Sequence, residues 1–473
     1  MIETTGAAGA TKQASLSDAD IGTLRSSIRG SLLTANDPAY DETRQIWNAT
    51  VDRRPLAILR ALGASDVIQA IRFAKDHRLP LAVRGGGHNI AGNAVCDHGL
   101  MLDLSRMKSV RVNASTQRAI VEPGATLADL DRETQAFGLM VPTGINSTTG
   151  IAGLTLGGGF GWTTRKFGMT IDNLLSVDLV TADGTLLHAS EAENTDLFWA
   201  IRGGGGNFGV VTAFEFALHR LGPQVMSGLL VHPLDQAATL LKSYRRLVAE
   251  ASDELTCWCV MRKAPPLPFI PKEWHGREVL VFALCYAGPM AAAEKAVAPF
   301  RALGRPIADA VAPHPFVGWQ SAFDPLLTPG ARNYWKSHDF VELGDGAIDA
   351  VLAGASNLPG PECEIFIAHV GGAMARVKPD ATAYPQRQSH FIMNVHTRWR
   401  DAAQDEACIG WARKLAGAAA PHAAGSVYVN FMPEDEADRV KLAYGPNHPR
   451  LAAIKRRYDP DNLFRLNQNI RPG

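Results

Sequence analysis

The chain has 473 residues, 46% of them hydrophobic and 20% charged, and its 47 basic and 47 acidic residues cancel. A balanced charge provides no long-range attraction to nucleic acid or to an anionic membrane, and no apolar run is long enough to span a bilayer. The six cysteines lack the paired spacing of a zinc site, so no metal is expected. A small-molecule partner is the class that these features leave open.

The N-terminal region does not match the pattern of a secretory signal. Residues 1–20 lack the basic and apolar regions of a secretory signal peptide, and they are predicted to form a mobile tail. Together with reduced cysteines, this predicts a cytoplasmic protein.

Hydrophobic spacing predicts helices alternating with short strands. A helix over residues 65–78 carries four apolar residues on one face and ends before Pro80. Leu81–Val83 then reads as a strand. A capping box of Thr126 and Asp129 begins a second helix, and residues 174–189 alternate around a turn as in a β-hairpin. This mixture indicates an α+β fold.

Glycine clusters at three places in the first half of the chain, at residues 85–87, 150–161 and 203–209. Such runs let backbone N–H groups converge on phosphate oxygens, so three of them predict a cradle for a large anionic ligand. The clusters match neither a Rossmann fingerprint nor a Walker phosphate loop. From about Gly222 the glycine clusters stop and prolines increase, which predicts a domain boundary there.

Four segments carry a resemblance to a known family. These are RGGGHN at 84–89, GIAGLTLGGGFGWTTRKFGMTIDN at 150–173, RGGGGNFGVVT at 202–212 and YDPDNLFRLNQNI at 458–470. In motif, order and spacing they resemble the berberine-bridge-enzyme-like flavin oxidases of the vanillyl-alcohol oxidase superfamily, and in particular its bacterial members similar to 6-hydroxy-D-nicotine oxidase.

The resemblance implies a two-domain fold that binds FAD. Residues 21–221 would form the FAD-binding domain, residues 222–425 a substrate domain whose antiparallel sheet covers the flavin, and residues 426–473 a segment that returns to the first domain. The residues that it assigns to FAD are Arg84, Gly85, Gly86, Gly87, His88, Asn89, Thr143, Ser147, Gly150, Gly153, Gly157, Gly158, Asn207, Gly209, Val210, Asn467 and Gln468.

In this family the histidine at the place of His88 forms a covalent bond to the 8α carbon of FAD. Many relatives add a second bond from a cysteine, but Asn146 stands at that place here. The resemblance therefore implies covalent attachment through His88 only.

The implied reaction is oxidation of a CH–OH or CH–NH carbon in a sugar, an alkaloid or another natural product, with oxygen reduced to hydrogen peroxide. The family's usual base is the second tyrosine of a Y-x-N-Y segment, where this chain has Phe431. A phenyl ring accepts no proton, so Tyr428, Tyr334, Asp339 and His369 become the candidate bases.

Three alternatives stay open at this stage. They are a flavin-dependent dehydrogenase with another electron acceptor, a flavoprotein that sequesters a drug-like molecule, and a scaffold whose glycine loops are only turns. Thr149, at a position thought to influence oxygen access in relatives, leaves oxidase against dehydrogenase open.

Overall fold

The computed structural model describes residues 16–473. Short strands dominate its first half: β1 (Ser31–Leu33), β2 (Ala57–Arg60), β3 (Leu81–Arg84), β4 (Leu100–Asp103), β5 (Val110–Asn113), β6 (Arg118–Val121), β7 (Leu139–Met140), β8 (Leu174–Val180), β9 (Leu186–Ser190), β10 (Val210–Ala217) and β11 (His219–Arg220). One sheet has the order β1-β2-β4-β3, with β2, β4 and β3 parallel. A second, antiparallel sheet has the order β5-β6-β10-β8-β9, and β7 pairs with β11.

The helices of this half are α1 (Asp18–Ser27), α2 (Tyr40–Thr43), α3 (Ala64–Asp76), α4 (Leu127–Gln135), α5 (Ile151–Leu156), α6 (Thr164–Phe167) and α7 (Thr195–Ile201). The predicted helix over 65–78 is confirmed as α3, and Thr126 and Asp129 form the predicted capping box of α4. The predicted hairpin is confirmed as the antiparallel pair β8 and β9.

The predicted tail needs a correction at its end. Residues 1–15 lie outside the described residues, but α1 already begins at Asp18. Ser17 and Asp20 form a reciprocal capping box there, which satisfies backbone N–H groups of the first turn and fixes the start of the helix.

The second half is built on one large antiparallel sheet. Its strands are β12 (Gln224–Pro233), β13 (Leu255–Lys263), β14 (Glu278–Tyr286), β15 (Ala308–Asp309), β16 (Ala312–Pro315), β17 (Arg332–Phe340), β18 (Glu364–His369) and β19 (Phe391–Trp399). Their order is β15-β12-β14-β13-β18-β19-β17, and β16 also pairs with β12. The accompanying helices are α8 (Ala237–Glu250), α9 (Ala293–Arg301), α10 (Phe316–Gln320), α11 (Asp345–Ala355), α12 (Ala373–Arg376) and α13 (Asp405–Ala419).

The two faces of this sheet have different surroundings. Side chains alternate along a strand, so Cys257, Cys259 and Met261 of β13 pack into the core with residues of α8 and α11. Trp258 and Val260, between them, face the opposite way and line a cavity. One face therefore serves stability, and the other is available for a ligand.

The C-terminal region packs on the first half of the chain. It contains α14 (Val440–Tyr444) and α15 (His448–Tyr458), and Leu451 and Ile454 share a core with the sheet that contains β10. The end of the chain also reaches the glycine loop at residues 203–209, where Nδ2 of Asn207 donates to the carbonyl of Gln468. Among residues 16–473, no helix is both long and apolar enough to cross a membrane.

Candidate functional site

A cavity of about 370 Å³ separates the glycine loops from the face of the large sheet that carries Trp258 and Val260. This volume is in the range of small-molecule sites. The three glycine clusters and the C-terminal segment contribute to one wall, and strands β13, β14, β17, β18 and β19 contribute to the other. Residues from distant parts of the sequence therefore meet around one space.

The glycine loops lack side chains in two kinds of place. Some of their backbone segments pass too close to each other for a side chain, and other glycines border open space in the cavity. A Cβ atom on Gly86 would lie only 2.4 Å from the backbone nitrogen of Gly150, so these two loops cross without room for a side chain. Gly153 and Gly206 also line the cavity, but a Cβ there would meet no atom within 4 Å. Side chains at these two positions would project into free space, and this is the arrangement that a large ligand lying against the backbone requires.

His88 lies at the boundary between the glycine loops and the cavity. The Thr148 hydroxyl donates to Oδ1 of Asn146 over 2.8 Å, and it lies 2.9 Å from Nε2 of His88. Because the hydroxyl has only one hydrogen, Nε2 must donate to it, which leaves the lone pair on Nδ1. Burial lowers the pKa of His88 to about 3, so the imidazole is neutral and nucleophilic at physiological pH.

Most residues expected to hold FAD line the cavity. They are Gly85, Gly86, Gly87, His88, Asn89, Gly150, Gly153, Asn207, Gly209, Val210, Asn467 and Gln468. The cradle, the free space beside its glycines and the neutral imidazole together fit a dinucleotide such as FAD.

Five of the expected FAD residues lie outside the cavity lining. Arg84 donates to the carbonyl of Thr43 over 2.5 Å, and Thr143 accepts from Gln320 over 3.0 Å. Ser147 donates to Asp324. A Cβ on Gly157 or Gly158 would meet neighbouring side chains rather than free space. These five residues shape the loops around the site.

Tyr428, one of the predicted bases, does line the cavity. Its hydroxyl oxygen accepts hydrogen bonds from the backbone N–H of Gly159 at 2.9 Å and from Nδ2 of Asn430 at 3.1 Å. Burial nevertheless raises the pKa of Tyr428 to about 12. The phenol stays protonated at neutral pH, which suits a hydrogen-bond donor better than a base.

The other predicted bases are engaged outside the cavity lining. The Tyr334 hydroxyl donates to Asp435 over 2.7 Å, His369 pairs with Arg165 at 2.9 Å, and Asp339 accepts from Ser426. None of the three lines the cavity. Tyr334 and His369 are on strands that do line it, but strand alternation turns their side chains to the other face.

The sheet carries a row of polar residues that the sequence did not predict. Arg262 of β13, Glu364 of β18 and His396 of β19 are neighbours across three strands, and all three line the cavity. Glu364 accepts from Arg262 over 2.6 Å and from Nδ1 of His396 over 3.1 Å. In the adjacent row, Asn394 is fully buried, and neither atom of its amide has a partner among the described residues.

One signal in the sequence could have revealed this row. The strand FIMNVHTRW is apolar at Ile392, Met393 and Val395, yet it carries Asn394 and His396 two residues apart on one face. Polar residues inside a central strand need partners or a ligand.

Comparisons with known proteins agree with this site. Residues 55–190 match the family model of an FAD binding domain, and residues 427–471 match the model described as berberine and berberine like. An (R)-6-hydroxynicotine oxidase of Paenarthrobacter nicotinovorans is 32% identical, covering 94% of this chain and 97% of its own length. An uncharacterised FAD-linked oxidoreductase of Bacillus subtilis is 30% identical, covering 95% of this chain and 98% of its own.

The chain belongs to the berberine-bridge-enzyme-like FAD-linked oxidoreductases. The crystal structure of 6-hydroxy-D-nicotine oxidase from Arthrobacter nicotinovorans matches it with a TM-score of 0.85 at 30% identity, covering 94% of this chain and 99% of that one. As a member of this family, the protein has the vanillyl-alcohol-oxidase-type fold, binds FAD and is an enzyme. The predicted α+β fold class and family are confirmed.

Proposed function

We propose that this berberine-bridge-enzyme-like protein oxidises the CH–OH or CH–NH carbon of a small aromatic molecule and passes the electrons to oxygen, giving hydrogen peroxide. The supporting observation is the wall opposite the glycine loops. Its charged and polar side chains, Arg262, Glu364, Asn394 and His396, form one compact group, and aromatic side chains from this wall and from the rest of the cavity surround that group. The aromatic residues that line the cavity around this group are Trp162, Trp258, Phe323, Trp335, Phe366 and Phe431.

This wall favours a flat, apolar substrate over a sugar. A sugar carries a hydroxyl on almost every carbon, and each buried hydroxyl needs a hydrogen-bond partner. The sheet provides Asn394, His396 and the Arg262–Glu364 pair, all close together. One polar group on an otherwise aromatic substrate matches that distribution.

When FAD is bound, it is the acceptor of the two electrons. The chain would hold it with the cavity-lining residues of the glycine loops and with Asn467 and Gln468. We propose that His88 carries the covalent bond and that it is the only covalent attachment, because Asn146 has no thiol. The Asn146–Thr148–His88 chain would keep Nδ1 free for this bond.

A substrate panel tests the proposed activity. Purified holoenzyme is mixed anaerobically with benzylic alcohols, cyclic arylamines and oligosaccharides, and loss of the oxidised flavin absorbance is followed. We expect bleaching by an aromatic alcohol or amine, with hydrogen peroxide released once air is admitted. Bleaching by the oligosaccharides alone would contradict the aromatic assignment, and slow reoxidation by oxygen would indicate a dehydrogenase.

Acid precipitation tests the attachment. Flavin should stay in the washed pellet of the wild-type protein and leave the pellet completely in His88→Ala. Flavin retained in the pellet of the variant would reveal a second covalent bond.

A further inference from the structure

We propose that His396 is the group that accepts the substrate proton, and that Glu364 positions it. This inference rests on the proposed oxidation of a CH–OH or CH–NH carbon. It replaces the tyrosine expected from the sequence with a histidine on the opposite wall of the cavity.

The hydrogen bond to Glu364 decides which nitrogen of His396 is free. An ionised carboxylate only accepts hydrogen bonds, so Nδ1 of His396 carries the hydrogen and donates to Oε1 over 3.1 Å. Nε2 therefore keeps a lone pair. This nitrogen is buried without a partner among residues 16–473, on a side chain that lines the cavity and is only 4% exposed. A buried acceptor without a partner is costly unless a ligand satisfies it.

Glu364 is held ionised by its neighbours. Burial alone would raise the pKa of Glu364, but Arg262 and His396 outweigh burial and hold that pKa at about 2. Trp335 packs edge-on against the imidazole with the ring centroids 4.6 Å apart. The ring therefore has one orientation, with its tautomer fixed by Glu364.

The other charged and titratable groups around His396 are few. Arg262 and Arg398 act on Glu364 from the sheet, while His88 and Tyr428 line the cavity. Burial lowers the pKa of His88 and raises that of Tyr428, so both are neutral at physiological pH. Because Nδ1 of His88 is assigned to the flavin bond, Nε2 of His396 is the cavity-lining imidazole nitrogen that is left to accept a proton.

The proton transfer completes a balanced oxidation. The O–H or N–H proton of the substrate moves to Nε2, and the electron pair of that bond forms the C=O or C=N double bond. The C–H hydrogen leaves the same carbon with its two electrons, which FAD accepts. Glu364 stabilises the resulting imidazolium, which returns its proton to solvent after the product leaves.

Equilibrium binding tests the contact without turnover. Enzyme reduced with dithionite is titrated with 4-methoxybenzyl alcohol and with the methyl ether of that alcohol, which has no hydrogen to donate to Nε2. The wild-type protein should bind the alcohol about threefold to tenfold more tightly, as for one neutral hydrogen bond. His396→Leu should abolish this preference, and Tyr428→Phe should keep it. Equal preference in wild type and His396→Leu, or no preference in the wild type, overturns the proposal.

Kinetics test the role in proton transfer. With the substrate found in the panel, His396→Gln should slow flavin reduction by about 10²-fold or more and remove the decline in rate at acid pH. Tyr428→Phe should slow reduction less than tenfold. Glu364→Gln should shift the acid decline to lower pH, because the imidazolium loses its negative neighbour, a change that a purely structural residue would not cause.

The control is His369→Gln. This histidine is buried on β18 beside Arg165, outside the cavity, and glutamine can still accept from Arg165. Normal flavin content in His396→Gln, read as the ratio of flavin to protein absorbance, shows that the site is intact. A wild-type rate and pH profile in such a protein would refute His396 as the proton acceptor, whereas failure of every compound to bleach the wild type counts against the oxidation itself.

Discussion

Two histidines line the cavity, and a single neighbour sets the hydrogen-bonding state of each. At His88 the Thr148 hydroxyl accepts a hydrogen bond from Nε2–H, and at His396 the Glu364 carboxylate accepts one from Nδ1–H. Opposite nitrogens are therefore left as nucleophile or acceptor. At the scale of single residues, the chemistry of this site depends on hydrogen-bond partners more than on residue type.

Thr148 provides a direct test of this dependence. Thr148→Val keeps the shape of the side chain but cannot accept from Nε2, so the tautomer of His88 is no longer fixed. When FAD is added to the apoprotein, we expect covalent attachment to slow by about fivefold, the value of one hydrogen bond. Flavin in acid-washed pellets is measured against time, with Thr148→Ser as the control that keeps the hydroxyl. Equal rates for the valine variant and the wild type would contradict the proposed role.

A second prediction at this scale concerns Asp131 and the pH dependence of stability. Burial raises its pKa to about 7, although Gln320 donates to one of its oxygens. A raised pKa in the folded state adds stability at acid pH, and this stability is lost as the pH rises through the folded value. Asp131→Asn should therefore gain on the order of 3 kcal/mol relative to wild type between pH 4.5 and 7.5.

Thermal unfolding at several pH values measures this change. The difference in midpoint between Asp131→Asn and wild type should grow in favour of the variant as the pH rises. Asp349→Asn, on the exposed side of α11, is the control and should show no such trend. A constant difference across this range would mean that Asp131 ionises normally.

At the scale of elements, the sequence predicted the features that lie within short stretches of chain, but it did not predict the side-chain contacts that depend on strand register. The capping boxes, the hairpin and the glycine motifs lie within short stretches of chain, so their residues identify them without tertiary information. The Arg262–Glu364–His396 row joins strands about 100 and 30 residues apart, and its pairing follows from the register of β13, β18 and β19.

The same limit explains why Tyr334 and His369 were predicted as bases although their side chains lie outside the cavity. Tyr334 and His369 each belong to a cavity-lining strand, but their side chains point to its opposite face. Their neighbours Trp335 and Ala368 belong to the cavity side. Without a known register, a shift of one residue exchanges the two faces of a strand, and the sequence alone did not decide between them.

The C-terminal element contains a buried ion pair that the sequence motif did not explain. Lys455 and Asp459 are fully buried and 2.6 Å apart, and Nζ of Lys455 also donates to the carbonyls of Asn207 and Phe464. Lys455→Met should cost about 3–5 kcal/mol, because it leaves a carboxylate buried without its cation. It should also lower the flavin content of the purified protein, since Asn207 belongs to the cavity wall.

Chemical denaturation and flavin content measure these two effects. Lys75→Met is the matched control, because Lys75 forms an exposed ion pair with Asp461 at 3.6 Å and should matter by less than about 1 kcal/mol. Equal losses of stability in Lys455→Met and Lys75→Met would show that the buried ion pair stabilises the protein no more than the exposed one.

At the scale of the whole molecule, the site exists only where the two halves of the chain meet. Arg387 belongs to the segment that connects β18 to β19, and it is fully buried. Its guanidinium forms two hydrogen bonds of 2.8 Å with Asp172 of the first half. Its guanidinium lies near the ring of Tyr384, which contacts the cavity residue Tyr428. One cation thus connects both halves and the wall of the site.

Removing this cation should loosen both halves together. Arg387→Met leaves the mostly buried Asp172 without its partner, which should cost about 3–5 kcal/mol. The matched control is Arg457→Met, which removes the exposed Arg457–Asp196 pair and should cost less than about 1 kcal/mol. Unfolding is followed by tryptophan fluorescence and by flavin circular dichroism. If Arg387 couples the halves, the two signals, which coincide in the wild type, should separate in the variant, with the flavin dichroism lost before the tryptophan fluorescence changes. Coincident transitions at an unchanged denaturant midpoint would show that other contacts hold the halves together.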